Sequence, residues 1–245
     1  TASLPASQIL ALRNLVAVAA LLSVVVCWGE VRQLSHSLKP IVLLRGLLEA
    51  GSSILFVVAL AQLPISTVTA IAISSPLFIT ALSPAFLGEK IGWRRWSATL
   101  VGFLGVVLIT RPGTEGFNGY ALFAIGTAIV VAFRDLLTRK IAPTVPSHAV
   151  TATATASVMF VAAALGLVEM AAGENPWQPL DFWTGAFVGL AGIFVVIGNH
   201  LVILAFRGGE VSVVSPFRYS VMVWAMLGGM FIFGDRPDLW SLAGI

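Results

Sequence analysis

The sequence is poor in charge. Asp, Glu, Lys and Arg make up 10% of its 245 residues, against about 25% in an ordinary soluble domain. Hydrophobic residues reach 58% and mean hydropathy is +0.97, more apolar surface than one soluble core of this size takes in, so the chain reads as a multi-span membrane protein. Cysteine is nearly absent: the lone Cys27 excludes an intramolecular disulfide, and beside Trp28 at a helix end it is expected to serve packing. No Cys/His spacing suits a metal. Also missing are a His-Glu-x-x-His helix, a Gly-Lys-Ser/Thr phosphate loop and a Gly-x-Ser-x-Gly elbow, which leaves covalent catalysis without a carrier and no cofactor expected. The net charge of +3 comes from 14 Lys and Arg scattered among apolar runs, with no basic stripe for nucleic acid. No cleavable signal peptide is expected at Thr1.

What is present is a series of eight apolar runs punctuated by Pro, Gly and charge: about Ile9 to Trp28, Ile41 to Leu63, Ile65 to Leu87, Trp96 to Thr110, Tyr120 to Leu137, Val150 to Met170, Phe182 to Phe206 and Val211 to Phe233. Roughly 20 helical residues cross a hydrocarbon layer of about 30 Å, so the lipid bilayer is the expected surrounding. Gly102, Gly105, Gly189 and Gly192 inside the runs are expected to let helices approach closely in lipid. If the runs alternate in direction, one side collects Arg32, Lys39, Lys90, Arg94, Arg95, Arg139, Lys140 and Arg207, and the other only Arg111 and Arg236. The positive-inside rule makes the first side cytoplasmic. Trp28, Trp93, Trp96, Trp177, Trp183 and Trp240 stand near run ends as interfacial anchors, and Trp224 alone lies deep in a run.

The chain repeats itself. At a shift of 146 positions Ile65-Ser66 falls on Val211-Ser212 and Gly88-Glu89-Lys90 on Gly234-Asp235-Arg236, while Pro5 and Pro146 precede corresponding runs. The charge assignment gives the two copies opposite orientation, the architecture of many secondary transporters. The expected fold is therefore an all-α integral membrane protein, an inverted-repeat helical bundle with eight spans of an expected ten, five plus five. Residues 1–111 form a first repeat without its first helix, and residues 119–245 a second repeat without most of its last.

The stretch LLRGLLEAGSSILFVVALAQLPISTVTAIAISSPLFITALSPAFLGEKIGWRRW, followed by LVGFLGVVLITRPG, resembles the first repeat of the EamA-type transporters of the drug/metabolite transporter superfamily. VVSPFRYSVMVWAMLGGMFIFGDRPDLWSLAGI resembles the matching part of the second. The resemblance covers nearly the whole chain. It implies ten helices with both termini cytoplasmic, alternating access, a small-molecule solute as partner, and here a bacterial cytoplasmic (inner) membrane.

Polar residues inside the runs are the candidate substrate-binding residues. Arg45 and Glu49, four apart, share a helix face; they form either a structural ion pair or the charged lining of a water-filled cavity, where Glu49 is the candidate for proton coupling. Pro76 and Pro216 interrupt the same helix of each copy, and proline frees the carbonyl four residues earlier, here Ala72 and Ser212. Ser74 and Ser75 are placed to satisfy freed backbone groups. Such matched interruptions point to a midplane transport site or, more plainly, to a packing kink. Arg218 either snorkels to the interface or faces inward to bind an anionic group, with Phe217, Tyr219 and Trp224 as aromatic walls. Asn199 and His200 sit similarly deep. Arg134 and Asp135 are expected to pair at the cytoplasmic interface, and His36 and His148 to be solvated in connecting segments. The reading is a secondary transporter of a small polar or amphoteric metabolite, with Arg45, Glu49 and the 74–76 break facing Asn199, His200 and 216–219 across a central cavity. The alternatives are an intramembrane enzyme acting on a lipid or isoprenoid, and a structural membrane partner.

Overall fold

In the computed structural model, which describes residues 4–60, 62, 63, 65–110, 119–173, 177–228, 230 and 231, every regular element is helical. In order these are α1 (Ala6–Cys27), a 3-10 helix (Val31–Leu38), α2 (Pro40–Leu60), α3 (Ile65–Ala72), α4 (Ser75–Leu87), α5 (Trp93–Thr110), α6 (Ala121–Lys140), α7 (Ser147–Ala171), α8 (Phe182–Gly208), α9 (Val211–Val214), a second 3-10 segment (Ser215–Tyr219) and α10 (Ser220–Gly228). By length and composition five of them, α1, α2, α6, α7 and α8, are long and apolar enough to cross a membrane. The third and eighth apolar runs are each divided into shorter helices. Pro64, Arg111 and the second Gly-acid-base exit, Gly234 to Arg236, lie outside the described residues.

Two compact units form, Thr1–Ile54 with Lys140–Arg207 and Leu55–Arg139 with Gly208–Ile245, so each draws helices from both halves of the sequence. In the first, α1 packs chiefly on α7. Pro5 and Pro146 stand immediately before these two helices, where a missing N–H costs nothing because the first turn has no acceptor for it. Polar groups tie the start of α1 to the far end of α7 and the segment beyond: Ser7 Oγ donates to Glu169 Oε2 at 2.6 Å and Gln8 Nε2 to the Gln178 carbonyl at 2.6 Å. Val42, Ile141, Val145, Val150 and Ile203 form one buried knot, and Ala17, Leu21 and Val196 another. Asp181 caps α8, accepting from the Trp183 and Thr184 N–H groups at 3.1 and 3.2 Å. Hydrogen bonds from Thr184, and then Trp183, hold its carboxyl below the usual carboxylate range.

Close helix approach is found at some of the expected glycines and not at others. A Cβ added at Gly192 would lie 2.5 Å from the Arg13 carbonyl oxygen, whereas Gly189 has open space around it. Gly192→Val is expected to push α1 and α8 apart at a cost of about 1–3 kcal/mol, read as a lower unfolding temperature in detergent, with Gly189→Val as the variant that leaves it unchanged. Equal melting of the two would contradict this packing.

Two expectations for small residues are corrected. Cys27 is exposed at the end of α1. His148 is buried in the first turn of α7, its Nδ1 3.4 Å from Glu30 Oε2, because Pro146 starts the helix one turn earlier than the apolar run does. His36 lies in the first 3-10 helix, half-buried, Nδ1 3.0 Å from the Gln33 carbonyl.

In the second unit α4 packs on α5, α9 and the Ser215–Tyr219 segment. Ala59, Leu63, Val68, Ala121 and Ala124 make its apolar core. Phe86 meets Phe133 edge-on at 5.4 Å, and Thr80 and Thr99 bond across α4 and α5 at 3.3 Å.

Candidate functional site

Within the first unit, α2 delivers Arg45 and, one turn on, Glu49. Arg45 is only 1% exposed. Its Nη1 stands 2.7 Å from Glu49 Oε2, and its Nη2 donates to Asn199 Oδ1 of α8 at 3.5 Å. A charge at mid-helix costs roughly 2.5–3.5 kcal/mol on insertion scales, and the pairing offsets part of that. Glu49 keeps 16% side-chain exposure, so one end of the pair is not sealed. On the next residue of α8, His200 Nδ1 lies 2.9 Å from Thr151 Oγ1. Thr151 already donates its hydroxyl hydrogen to the Ser147 carbonyl at 2.9 Å, so the imidazole donates from Nδ1 and carries its lone pair on Nε2. Four of the predicted residues thus belong to this unit, three of them in direct contact.

The remaining eight belong to the second unit, and both proline-bearing runs are broken where the prolines stand. Between α3 and α4 the chain turns at Ile73 and Ser74, and Pro76 occupies the first turn of α4. Ser74 Oγ donates to the Ile71 carbonyl at 2.5 Å, one residue before the carbonyl expected from proline geometry, because the helix ends at Ala72 and tightens first. Ser74, Ser75 and Pro76 are all buried. The eighth run is broken more severely: four residues of α9, then Ser215–Tyr219 in 3-10 form around Pro216, then α10.

At this second break Arg218 meets an acid. Its Nη2 donates to Asp135 Oδ2 of α6 at 2.6 Å, and Asp135 Oδ1 accepts from Arg134 Nε at 2.9 Å. Arg134 and Asp135 pair as expected; Asp135 is 1% exposed and Arg134 8%, and the one buried carboxylate holds two guanidinium groups. The Tyr219 ring fills the space that a side chain at Gly102 would need. Tyr219 Oη and Ser215 Oγ are buried and have no hydrogen-bond partner among the described residues. Phe217 and Trp224, the other expected aromatic walls, are 73% and 69% exposed. Next to the break, Glu89 of the first Gly-acid-base exit accepts from the Val211 and Ser212 N–H groups at 2.9 and 3.2 Å. Arg95 donates to Ser212 Oγ at 2.8 Å and pairs with Glu210.

Buried ion pairs on apolar helices, and apolar runs broken at prolines, suit the handling of a polar solute in a membrane. The sequence model described as the EamA-like transporter family matches residues 1–111 and 118–245. The chain belongs to the EamA-like transporter family.

Its similarity to individual members of this family and beyond is moderate. An S-adenosylmethionine uptake transporter of Rickettsia bellii (strain RML369-C) is 31% identical over 225 residues, 91% of this chain and 74% of the relative. A riboflavin transporter of Vibrio cholerae serotype O1 is 30% identical over 190 residues, 74% of this chain and 60% of the relative. A pseudopaline exporter of Pseudomonas aeruginosa is 24% identical over 246 residues, all of this chain and 84% of the relative. A solved crystal structure superimposes with a TM-score of 0.83 at 20% identity, covering all of this chain and 85% of its own, a likeness that concerns the fold alone. This EamA-family chain is accordingly a multi-pass integral protein of the bacterial inner membrane and a small-molecule transporter of the drug/metabolite transporter superfamily. Relatives named as transporters point away from the intramembrane enzyme.

Reading the EamA-family sequence by its runs passed over Arg13 and Asn14, which lie together inside α1. A charged residue within the run was the available signal. Asn14 is buried and donates to the Leu10 carbonyl at 2.8 Å; the Nε of Arg13 is buried and has no hydrogen-bond partner among the described residues.

Proposed function

We propose that the protein is a secondary transporter that moves a small polar or amphoteric metabolite across the cytoplasmic membrane by alternating access through a central cavity between two inverted repeats, residues 1–111 and 119–245. The observation that carries this reading is the pair of broken helices, one at Ser74 to Pro76 and one at Ser215–Tyr219. Interrupted helices in corresponding segments of two halves expose backbone polar groups at membrane depth, which lipid does not tolerate and a solute site uses. The Arg45–Glu49–Asn199 cluster supplies a cation, a carboxylate and an amide to the same end, and Asp135 with Arg218 supplies a second charged pair beside Pro216, Phe217, Tyr219 and Trp224. Ser74, Ser75 and His200 complete the polar residues assigned to solute contact. Glu49, the partly open carboxylate, is assigned to proton coupling.

The relatives' names offer two solutes to begin with, S-adenosylmethionine and riboflavin. The first is amphoteric, carrying a carboxylate, an amine and a sulfonium; the second is a flat heteroaromatic ring with a polyol. Full-length protein in proteoliposomes is expected to show saturable flux of an amphoteric solute, stimulated by a proton gradient. If neither these two nor a wider panel of amino-acid and nucleoside metabolites crosses the membrane with or without the gradient, the transporter assignment is wrong for this chain.

A further inference from the structure

Arg13 is the eighth residue of α1, about 10–12 Å of helix from its first residue. Each helical residue turns by about 100°, so Arg13 points about 160° away from Leu15, where the exposed stripe Leu15, Ala19, Leu22 and Val26 begins. Its own side carries Ala6, Ile9 and Val24, exposed, and Val16 and Ala20, half-buried, so the covering is local to the middle of the helix. The Arg13 backbone is pressed on Gly192 of α8, its side chain is partly covered, and its Nε is buried without a hydrogen-bond partner among the described residues.

No described acid of the first unit pairs with it, and each has another partner. Glu49 is held by Arg45, Glu30 faces His148, Glu169 accepts from Ser7, and Asp181 caps α8. An uncompensated guanidinium turned away from the exposed stripe of an apolar span calls for an anion from elsewhere. We propose that Arg13 receives a carboxylate of the transported solute and so selects solutes that carry one. This inference rests on the transporter reading above. Asn199, the partner of Arg45, lies seven residues beyond Gly192 on α8, or about 10 Å along the helix. A solute of that length reaches from Arg13 to the Arg45–Glu49 pair, the dimension of an amino acid joined to a second ring or chain.

The test uses full-length protein with Cys27→Ser, which removes the one native thiol. In that background Arg13→Cys is expected to react with membrane-impermeant methanethiosulfonates from water. Ile9→Cys lies one turn before Arg13, in the direction its side chain leans. It is expected to react faster with the sulfonate-bearing reagent than with the trimethylammonium one, by about tenfold. Arg13→Gln should abolish that preference and Arg13→Lys retain it. Lack of reaction at position 13, or a preference indifferent to Gln, overturns the anion site. None of these readouts contains a transport step, so they stand or fall separately from the transporter reading. In proteoliposomes Arg13→Gln is expected to cut flux of carboxylate-bearing solutes at least tenfold relative to carboxylate-free ones. Equal loss for both classes, or a wild-type protein that carries only carboxylate-free solutes, overturns the selectivity.

Discussion

Asp135→Ala is expected to abolish solute flux and to destabilise the protein by about 3–5 kcal/mol, the usual consequence of removing one partner from a buried charge cluster. Asp135 is 1% exposed and accepts from Arg134 Nε at 2.9 Å and from Arg218 Nη2 at 2.6 Å. Without it two guanidinium groups face each other with no carboxylate between them. The stability loss is read from unfolding in detergent and the flux loss from proteoliposomes, so a fold defect and a transport defect can be separated. Asp135→Asn keeps an acceptor oxygen in place while removing the charge, and is expected to lie between wild type and alanine in stability while remaining inactive. A double-mutant cycle with Arg218→Ala should return a coupling on the order of 1–3 kcal/mol. Stability and flux both unchanged in Asp135→Ala would remove this cluster from the site.

The second large effect falls on the other unit. Glu49→Gln is expected to lower proton-driven flux by about tenfold or more. That is the scale of one lost hydrogen bond to a charged group, roughly 1.5–3 kcal/mol. Arg45 is buried and 2.7 Å from Glu49 Oε2, a shorter contact than its bond to Asn199 at 3.5 Å, so the charged partner is the one lost. If Glu49 carries the coupling proton, solute counterflow, which needs no net proton movement, persists in Glu49→Gln while accumulation against a gradient stops. Arg45→Ala is expected to lose both, because it strips the guanidinium from the helix face and takes a charged partner from Glu49. Membrane insertion, followed by the amount of purified protein, should be retained in both variants. Near-normal flux in Arg45→Ala and Glu49→Gln would reduce the pair to a tie holding α2 to α8.

How much of this was legible beforehand varies with how local the cause is. The break at Ser74 to Pro76 and that at Pro216 were readable, since a proline lacks its N–H whatever surrounds it. The Arg45–Glu49 pair was readable too, because helical spacing alone brings residues four apart together. The pairing of Arg134 with Asp135 was legible as well, but not the burial of the carboxylate, which depends on what packs over it. The carboxylate's other partner, Arg218, is 83 positions away and joins it only when α6 meets the 3-10 segment. Arg13 escaped notice inside a strongly apolar run, where one charge barely changes the pattern.

The sequence by itself determined the environment and the elements of this protein. Its long apolar runs, sparse charge and placed prolines act within a few residues of where they stand, and they dictate membrane helices and the points at which two of them break. Only the tertiary structure decided which charge meets which. A helix presents a different face for every rotation about its own axis, and that rotation is set by packing against neighbours, as at Gly192 for α1 and at Gly102 for the second break. Those contacts put Asn199 beside Arg45 and Asp135 beside Arg218, and they turn Arg13 away from the exposed stripe with no described acid to meet it.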